Sequence, residues 1–356
     1  MVTRVLYIDD EALPNSGEAQ AITQYLNVPG EFECILQLPP KNFSDLPIDH
    51  PDALLVDHDL STAPDGNDPV SYMGSTLASE MRMRQPTCPI ALVTRLHVTA
   101  AKWQEQFLRQ SSDLDIIIDK DDIIRTPERV RATIISLSEG FKALDQASGK
   151  DWESVLDLMG ADEDEKNLLR EAGPPVSNGQ WNPPQTAKWI RNVVLRYPGI
   201  VYDELTAATR LGIRIDSFRL PQVQELMKPA RYQGLFGDDE ICWWRGRLFN
   251  VAQSLLLEQG MKGVVSENFS EAYRQKFNEA LEPARCVFDG TPTADWVCHI
   301  LREPVKQEHS VPYYPDSRPS VMDQARVSFT AIKGSNAFDE SLVDADSYEL
   351  VKSLWE

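Results

Sequence analysis

Asp9 and Asp10 close the apolar run of "VLYIDDE" (residues 5–11), and Glu11 follows them. Like charges crowded where a buried strand ends repel one another, and burial raises the cost. Such a cluster is either solvated or faces something cationic. Asp57 ends a second aliphatic run in "PDALLVD", Thr94 ends "IALVT", and Lys120 ends "DIIIDK". Three carboxylates, a hydroxyl and an amine at the ends of separate apolar runs have a chemical logic. Three acids can hold a hard cation such as Mg²⁺, which takes oxygen ligands and keeps some waters. One carboxylate can then act as nucleophile toward a phosphoryl group, giving an aspartyl phosphate. Lys120 and Thr94 would bind the phosphoryl oxygens. The transition state is loose, so placement and charge neutralisation are most of the catalysis.

These residues meet only if the chain brings the run ends together. The spacing predicts strands at Arg4–Ile8, Glu33–Leu36, Ala53–Val56, Ile90–Val93 and Asp115–Ile118. Four of the five are nearly continuous aliphatic runs, as expected of parallel strands covered on both faces. Helices are predicted over roughly 16–27, 70–84, 98–110 and 127–145, while the short, Pro-rich stretch after the second strand disfavours one. The last helix has the clearest signal. Thr126 is placed to cap it, Pro127 takes the first helical position, and Val130, Ile134, Leu137, Phe141 and Leu144 recur at helical spacing. The acid run "DKDDI" around Lys120 reads as a solvated turn. The whole is α/β, a (βα)5 doubly wound parallel sheet. Ligands bind at the carboxyl ends of the strands in such sheets.

The stretches "VLYIDDE", "PDALLVDHDL", "IALVT" and "IIIDK", in this order, resemble the receiver (response-regulator, CheY-like) domain of two-component signalling. The resemblance covers residues 1–145, some 40% of the chain. Each motif is weak alone; all four at the right strand ends are specific. The resemblance implies a flavodoxin-like strand order and a phosphoryl group accepted on Asp57 from a histidine kinase or phosphotransfer protein. It implies Mg²⁺ on Asp9, Asp10, Asp57 and the backbone carbonyl of Asp59, with Thr94 and Lys120 reading the phosphoryl group. Several positions depart from the family. Arg95 stands where a very small residue is usual, Asp121 replaces a common proline, and Ile117 replaces an aromatic switch residue. The loop after Asp57 is long and brings His58, Asp59, Asp65 and Asp68 near the site. His58 reads as an exposed loop residue rather than a metal ligand.

"DQASGKD" (145–151) looks like a junction, and residues 151–356 read as a mostly α-helical output or partner-binding domain. Helices are predicted at 151–159, 162–172, 185–196, 200–210, 220–228, 243–259, 267–280 and 339–355, with loops at 173–184 and 312–319. No P-loop, G-x-S-x-G or H-E-x-x-H occurs. Cys286, Cys298, His299 and His309 invite a zinc reading. Their C-x11-C-H-x9-H spacing lacks the close paired ligands of structural zinc sites, and core cysteines with surface histidines are preferred. Residues 192–228 have the rhythm of a helix-turn-helix. The candidate recognition helix carries little basic charge, with Lys228 set against Glu225. Between residues 230 and 249, Arg231, Arg245 and Arg247 sit among Tyr232, Phe236, Trp243, Trp244 and Phe249. That composition suits an interface or a core. Core is preferred for Trp243, and Trp244 is left open. The acidic helix at the C-terminal end is a candidate docking element for a partner.

The 356 residues carry a net charge of −20. Residues 1–148 hold 12 Lys and Arg against 23 Asp and Glu, so both parts are acidic. Phosphate contacts supply most nucleic-acid affinity, so this balance argues against DNA. No run reaches the roughly 18 apolar residues of a membrane helix. No signal peptide is visible, and five scattered cysteines read as a reduced, cytoplasmic protein; the receiver resemblance implies a bacterial-type one. A homodimer is compatible with the sequence. Three functions follow: a response regulator whose helical half works through protein contacts; a receiver-like adaptor of a multi-protein system, for instance a defence system, without phosphorelay; and a DNA-binding regulator acting through 192–228.

Overall fold

The computed structural model describes residues 2–12, 17–45, 51–61, 70–95, 113–237, 241–315 and 318–353. The chain forms two compact units, Met1–Leu158 with Pro175–Lys188, and Met159–Pro174 with Trp189–Glu356.

In the first unit, strands β1 (Thr3–Ile8), β2 (Phe32–Gln37), β3 (Ala53–Asp57), β4 (Ile90–Thr94) and β5 (Ile116–Asp119) pair in the order β2-β1-β3-β4-β5. Every pairing is parallel. This is the strand order that the resemblance implies. Side chains alternate across the strands. Val5, Tyr7, Ala53, Leu55, Ala91, Val93 and Ile118 therefore cover one face of the sheet. They pack against α1 (Glu18–Leu26), α3 (Lys120–Arg125) and α4 (Pro127–Ala147) through Ile22, Leu26, Ile123, Val130 and Ile134. Leu6, Ile8, Leu54, Val56, Ile90, Leu92 and Ile117 cover the other face, against Leu77, Ala78 and Met81 of α2 (Gly74–Arg84). Each such side chain contributes about 1.5–3 kcal/mol on burial.

Local details differ from the sequence expectations. The "DKDDI" run is not a turn: residues 120–125 form α3, because the Asp119 carboxylate accepts the Asp121 N–H at 3.0 Å and caps it. Thr126 precedes Pro127 as expected, but its hydroxyl donates back to the Asp122 carbonyl at 3.1 Å and does not cap α4. The stretch after β2 holds one 3₁₀ turn, Phe43–Asp45. The helix expected at 98–110, and Asp65 and Asp68, lie outside the described residues.

The second unit is helix-rich, as expected. α5 (Trp152–Leu158) and all but the last residue of α7 (Pro183–Trp189) belong to the first unit, while the second holds α6 (Glu163–Glu171), α8 (Glu204–Arg210), α9 (Ile215–Phe218), α10 (Pro221–Met227), α11 (Arg245–Glu258), α12 (Val265–Phe277), α13 (Phe329–Gly334) and α14 (Ala345–Ser353). Three two-stranded ladders were not legible: β6 (Val201–Asp203) with β7 (Cys242–Trp244), β8 (Trp296–Val297) with β9 (Pro304–Val305), and β10 (Ser310–Pro312) with β11 (Arg326–Ser328). Two predicted helices begin as strands. Asp203 caps α8 by accepting the Thr206 N–H at 2.7 Å, so that helix cannot start at 200. The bulky pair Trp243–Trp244 suits a ladder better than a helix end. Both tryptophans are buried, so this aromatic stretch is core rather than an exposed contact surface. The helix-turn-helix rhythm also breaks, because the Pro198–Gly199 turn leads into β6 and α10 buries Val223 and Met227. Among the described residues, no helix is long and apolar enough to cross a membrane.

One glycine fixes how α2 meets β3. The Gly74 N–H donates to the His58 carbonyl at 3.0 Å, and a Cβ at Gly74 would lie 2.0 Å from the Asp57 carbonyl oxygen. That neighbour is backbone and cannot swing aside. Gly74→Ala is expected to destabilise the first unit by about 1–3 kcal/mol, the usual cost of overpacking. Gly246→Ala, where a Cβ meets nothing within 4 Å, is the neutral control. Native-state hydrogen exchange of the β3 amides measures both. Equal protection in the two variants would remove the close approach as a constraint.

Candidate functional site

The parallel register sets the carboxyl ends of three strands level. Ile8 pairs with Val56, so Asp9 and Asp57 are the next residues on adjacent strands, and Asp57 itself pairs with Val93. Thr94 ends β4 opposite Asp119, and Lys120 follows directly. Period-two alternation carries the Tyr7 and Leu55 face onward to Asp9 and Asp57. From the far side of β4, the long Lys120 stem reaches back across that strand. Its Nζ lies 2.6 Å from Asp57 Oδ1 and 3.3 Å from Asp9 Oδ2. The three side chains are 10%, 11% and 1% exposed for Lys120, Asp57 and Asp9. The cation that the acid cluster requires is therefore supplied by the chain.

Other donors complete the carboxylates. The Tyr7 hydroxyl donates to Asp9 Oδ2 at 2.5 Å, and the Glu11 N–H donates to Asp9 Oδ1 at 2.8 Å. The Asp59 N–H donates to Asp57 Oδ2 at 3.2 Å. Asp10 is buried next in the chain. Asp59 is exposed, and its own carboxylate accepts from the Ser61 N–H and hydroxyl. Burial pushes the Asp57 carboxyl up to about 6, although Lys120 opposes the rise. For Lys120, burial acts against the charge, but Asp57 and Asp9 outweigh it and its pKa rises. Burial, then Asp9, raises the Tyr7 phenol far above its ordinary value, so it remains a donor.

The departures also have places. Arg95 is exposed and turns to Glu18 in the first turn of α1, with its Nη2 2.5 Å from the Glu18 carboxylate. It does not plug the site in this arrangement. Ile117 is buried among Leu92, Ile90 and Leu114. Tyr7 and Gly74 were not anticipated. Tyr7 is the one hydroxyl inside the first strand's apolar run, two residues before Asp9, and that spacing is the signal.

No protein-family model matches the sequence, and no curated protein matches it. Solved structures do. The chain is similar to a response regulator receiver domain protein from Clostridium thermocellum, at 16% identity over 40% of this chain and 99% of that one, with a TM-score of 0.30. A CheY-like receiver domain protein from Methanospirillum hungatei JF-1 matches at 14% identity over 39% and 98%, with a TM-score of 0.26. The receiver domain of Francisella response regulator 1452 matches at 15% identity over 38% and 95%, with a TM-score of 0.27. The N-terminal sheet and its helices have the receiver fold. That assignment rests on the parallel order β2-β1-β3-β4-β5 with helices on both faces, and the matches are carried no further.

Lys120 is the group on which this receiver edge depends. Lys120→Met keeps the stem and removes the charge, leaving Asp9 and Asp57 buried together. The expected cost is about 3–5 kcal/mol at pH 8, the range for breaking a buried pair. Its pH dependence has a defined sign. The folded Asp57 pKa lies above its unfolded value, so ionising it costs the fold stability as pH rises from about 4 through 6. The Lys120 contribution is complete at neutral pH and is lost as pH rises through its raised pKa. The variant's deficit should therefore shrink toward pH 5, where Asp57 takes a proton. Urea unfolding in EDTA at the two pH values measures this. A deficit independent of pH would assign the loss to packing.

Proposed function

We propose that the N-terminal unit is a phosphoacceptor receiver and that the chain is a response regulator. Lys120 Nζ between Asp57 and Asp9 is the observation that carries this reading. Asp57 ends β3 at the strand edge, backed by the Lys120 ammonium, and Thr94 ends the neighbouring strand β4. A carboxylate there can attack a phosphoryl group presented by a histidine kinase or phosphotransfer protein. The Asp57 oxygen forms the new bond to phosphorus as the bond to the donor nitrogen breaks. Lys120 then neutralises the added negative charge, and Thr94 supplies a hydroxyl for a phosphoryl oxygen.

The donor set suits a hard cation, since Asp9, Asp10 and Asp57 offer carboxylate oxygens without sulfur or imidazole. Asp9, Asp10, Asp57 and the backbone carbonyl of Asp59 are the residues that would hold Mg²⁺. Such an ion, when bound, supplies further neutralisation of phosphoryl charge. The long-range effect belongs to Lys120. Drawn to the phosphoryl group, it gives up part of its hold on Asp9, a local charge change of the kind that biases a two-state fold. The helix-rich unit would then act as the output through a protein partner rather than DNA, in keeping with its acidity.

Intact mass after incubation with acetyl phosphate and Mg²⁺ tests this reading. Wild type is expected to gain one phosphoryl group, while Asp57→Ala and an EDTA control gain none. A folded wild type with no gain from acetyl phosphate or from any phosphohistidine donor supplied would overturn it and favour the adaptor reading.

A further inference from the structure

A second cluster of titratable groups lies in the helix-rich unit, outside the receiver site. Cys286 and Asp289 sit three residues apart on one tight turn. The Cys286 N–H donates to the Thr291 carbonyl, and the Gly290 N–H donates to the Cys286 carbonyl, both at 2.8 Å. Gly290 takes the left-handed conformation that closes the turn, at φ +70°. The Thr291 N–H and hydroxyl both donate to Asp289 Oδ1, at 3.0 and 2.7 Å. That leaves Oδ2 aimed across the turn. His309 arrives from the 3₁₀ turn Gln307–His309, with its ring 4.9 Å from the Phe288 ring.

Three ligand-type atoms converge there. Cys286 Sγ is 3.5 Å from His309 Nδ1, and Asp289 Oδ2 is 3.7 Å from that same nitrogen. All three atoms lie within 4.8 Å of one another, and among the described residues no other trio of His, Cys, Asp or Glu does so. In a tetrahedral site with Zn–S near 2.3 Å and Zn–N or Zn–O near 2.0–2.1 Å, the edges are about 3.5 Å for S···N and about 3.3–3.4 Å for N···O. The 3.5 Å S···N separation matches its edge, and the 3.7 Å N···O separation is a few tenths of an ångström longer than its edge.

A catalytic Cys–His–Asp relay is the competing reading, and the geometry disfavours it. In a relay the thiol and the carboxylate use opposite ring nitrogens, so that a proton taken at one is balanced at the other. Here both face Nδ1. A single imidazole nitrogen between a thiol sulfur and a carboxylate oxygen, all crowded around one point, is an arrangement for a cation.

We infer that Cys286, Asp289 and His309 bind one Zn²⁺-class ion, with the fourth position open to solvent. Thiolate and imidazole select a borderline-soft metal over Mg²⁺ or Ca²⁺. Cys286 is buried in a cluster with Ala284, Cys298, Val311 and Phe329, while Asp289 is exposed. The ion is thus anchored to core on one side and reachable on the other. Thr291 orients the carboxylate, and Phe288 shields the imidazole. Cys298 and His299 are not ligands: Cys298 Sγ accepts the Ser328 N–H at 3.3 Å, and the His299 ring packs on Tyr313.

The test is a Co²⁺ titration of the full chain, stripped with EDTA and held in excess Mg²⁺ so that oxygen-only sites do not compete. One equivalent should produce a thiolate-to-cobalt charge-transfer band together with the intense visible bands of four-coordinate cobalt. Zn²⁺ should abolish both stoichiometrically and raise the melting temperature. Asp289→Asn should weaken Co²⁺ by more than about tenfold, a lower bound set by the loss seen for outer-shell groups. Cys286→Ser should abolish the charge-transfer band, and Cys298→Ser should retain it. If Cys286→Ser does not fold, Asp289→Asn, altered only on an exposed turn, decides. A wild type without the band, a band lost only with Cys298, or unchanged affinity in Asp289→Asn would overturn the site.

Discussion

Two carboxylates on neighbouring parallel strands, both out of water, require a positive charge within a few ångströms. Lys120 meets that requirement, and the rest of the N-terminal unit is arranged around it. At 4 Å two unit charges interact by about 4 kcal/mol at the effective dielectric of a protein edge. Repulsion between Asp9 and Asp57 would by itself disfavour keeping both ionised at the sheet edge. Lys120 Nζ lies 2.6 Å from one and 3.3 Å from the other and reverses the sign of the local balance. What still raises the Asp57 pKa is chiefly its burial, which Lys120 opposes. An ammonium that faces two anions at once can be redistributed by new charge at either of them.

Reach explains the placement. Lys120 begins after β5 and must cross β4 to find its partners on β3 and β1. It can do so because β4 presents Ala91 and Val93 on that face, both buried and compact. The Asp119 cap starts a helix at Lys120 and so fixes where its stem departs. On the other side, Gly74 lets α2 press onto the backbone of Asp57. Tyr7, packed in the sheet face, carries a donor to Asp9. Each of these positions is held by backbone or core, so the site is built on rigid elements, as a site that must place charge requires.

The sheet and its charged edge were legible because both follow from local rules. Aliphatic runs of strand length give the strands, and period two assigns the faces. The residues that end the runs are then the residues at the edge. The contribution of Gly74 was not legible, because it depends on the β3 backbone that α2 meets, while that of Tyr7 left a local signal in its spacing from Asp9. In the second unit the signals are shorter. Ladders of two or three residues, such as Val201–Asp203 with Cys242–Trp244, are below the length at which alternation can be read. They exist because tertiary packing selects them: Tyr202 and Trp243 pair across the ladder inside one cluster. The same limit hid Asp289. Its spacing from Cys286 was visible, but its role required the turn that folds its carboxylate toward a histidine twenty residues on.

The two clusters treat charge in opposite ways. At the receiver edge the anions come with a permanent ammonium, and any metal there must share oxygen ligands with it. At Cys286, Asp289 and His309 the nearest positive group in the trio is His309, which is charged only when protonated. The donor atoms then keep the two sites apart. Carboxylate oxygens favour a hard ion, while a thiolate with an imidazole favours a softer one. Ligand type rather than net charge is therefore what distinguishes the two clusters as candidate ion sites.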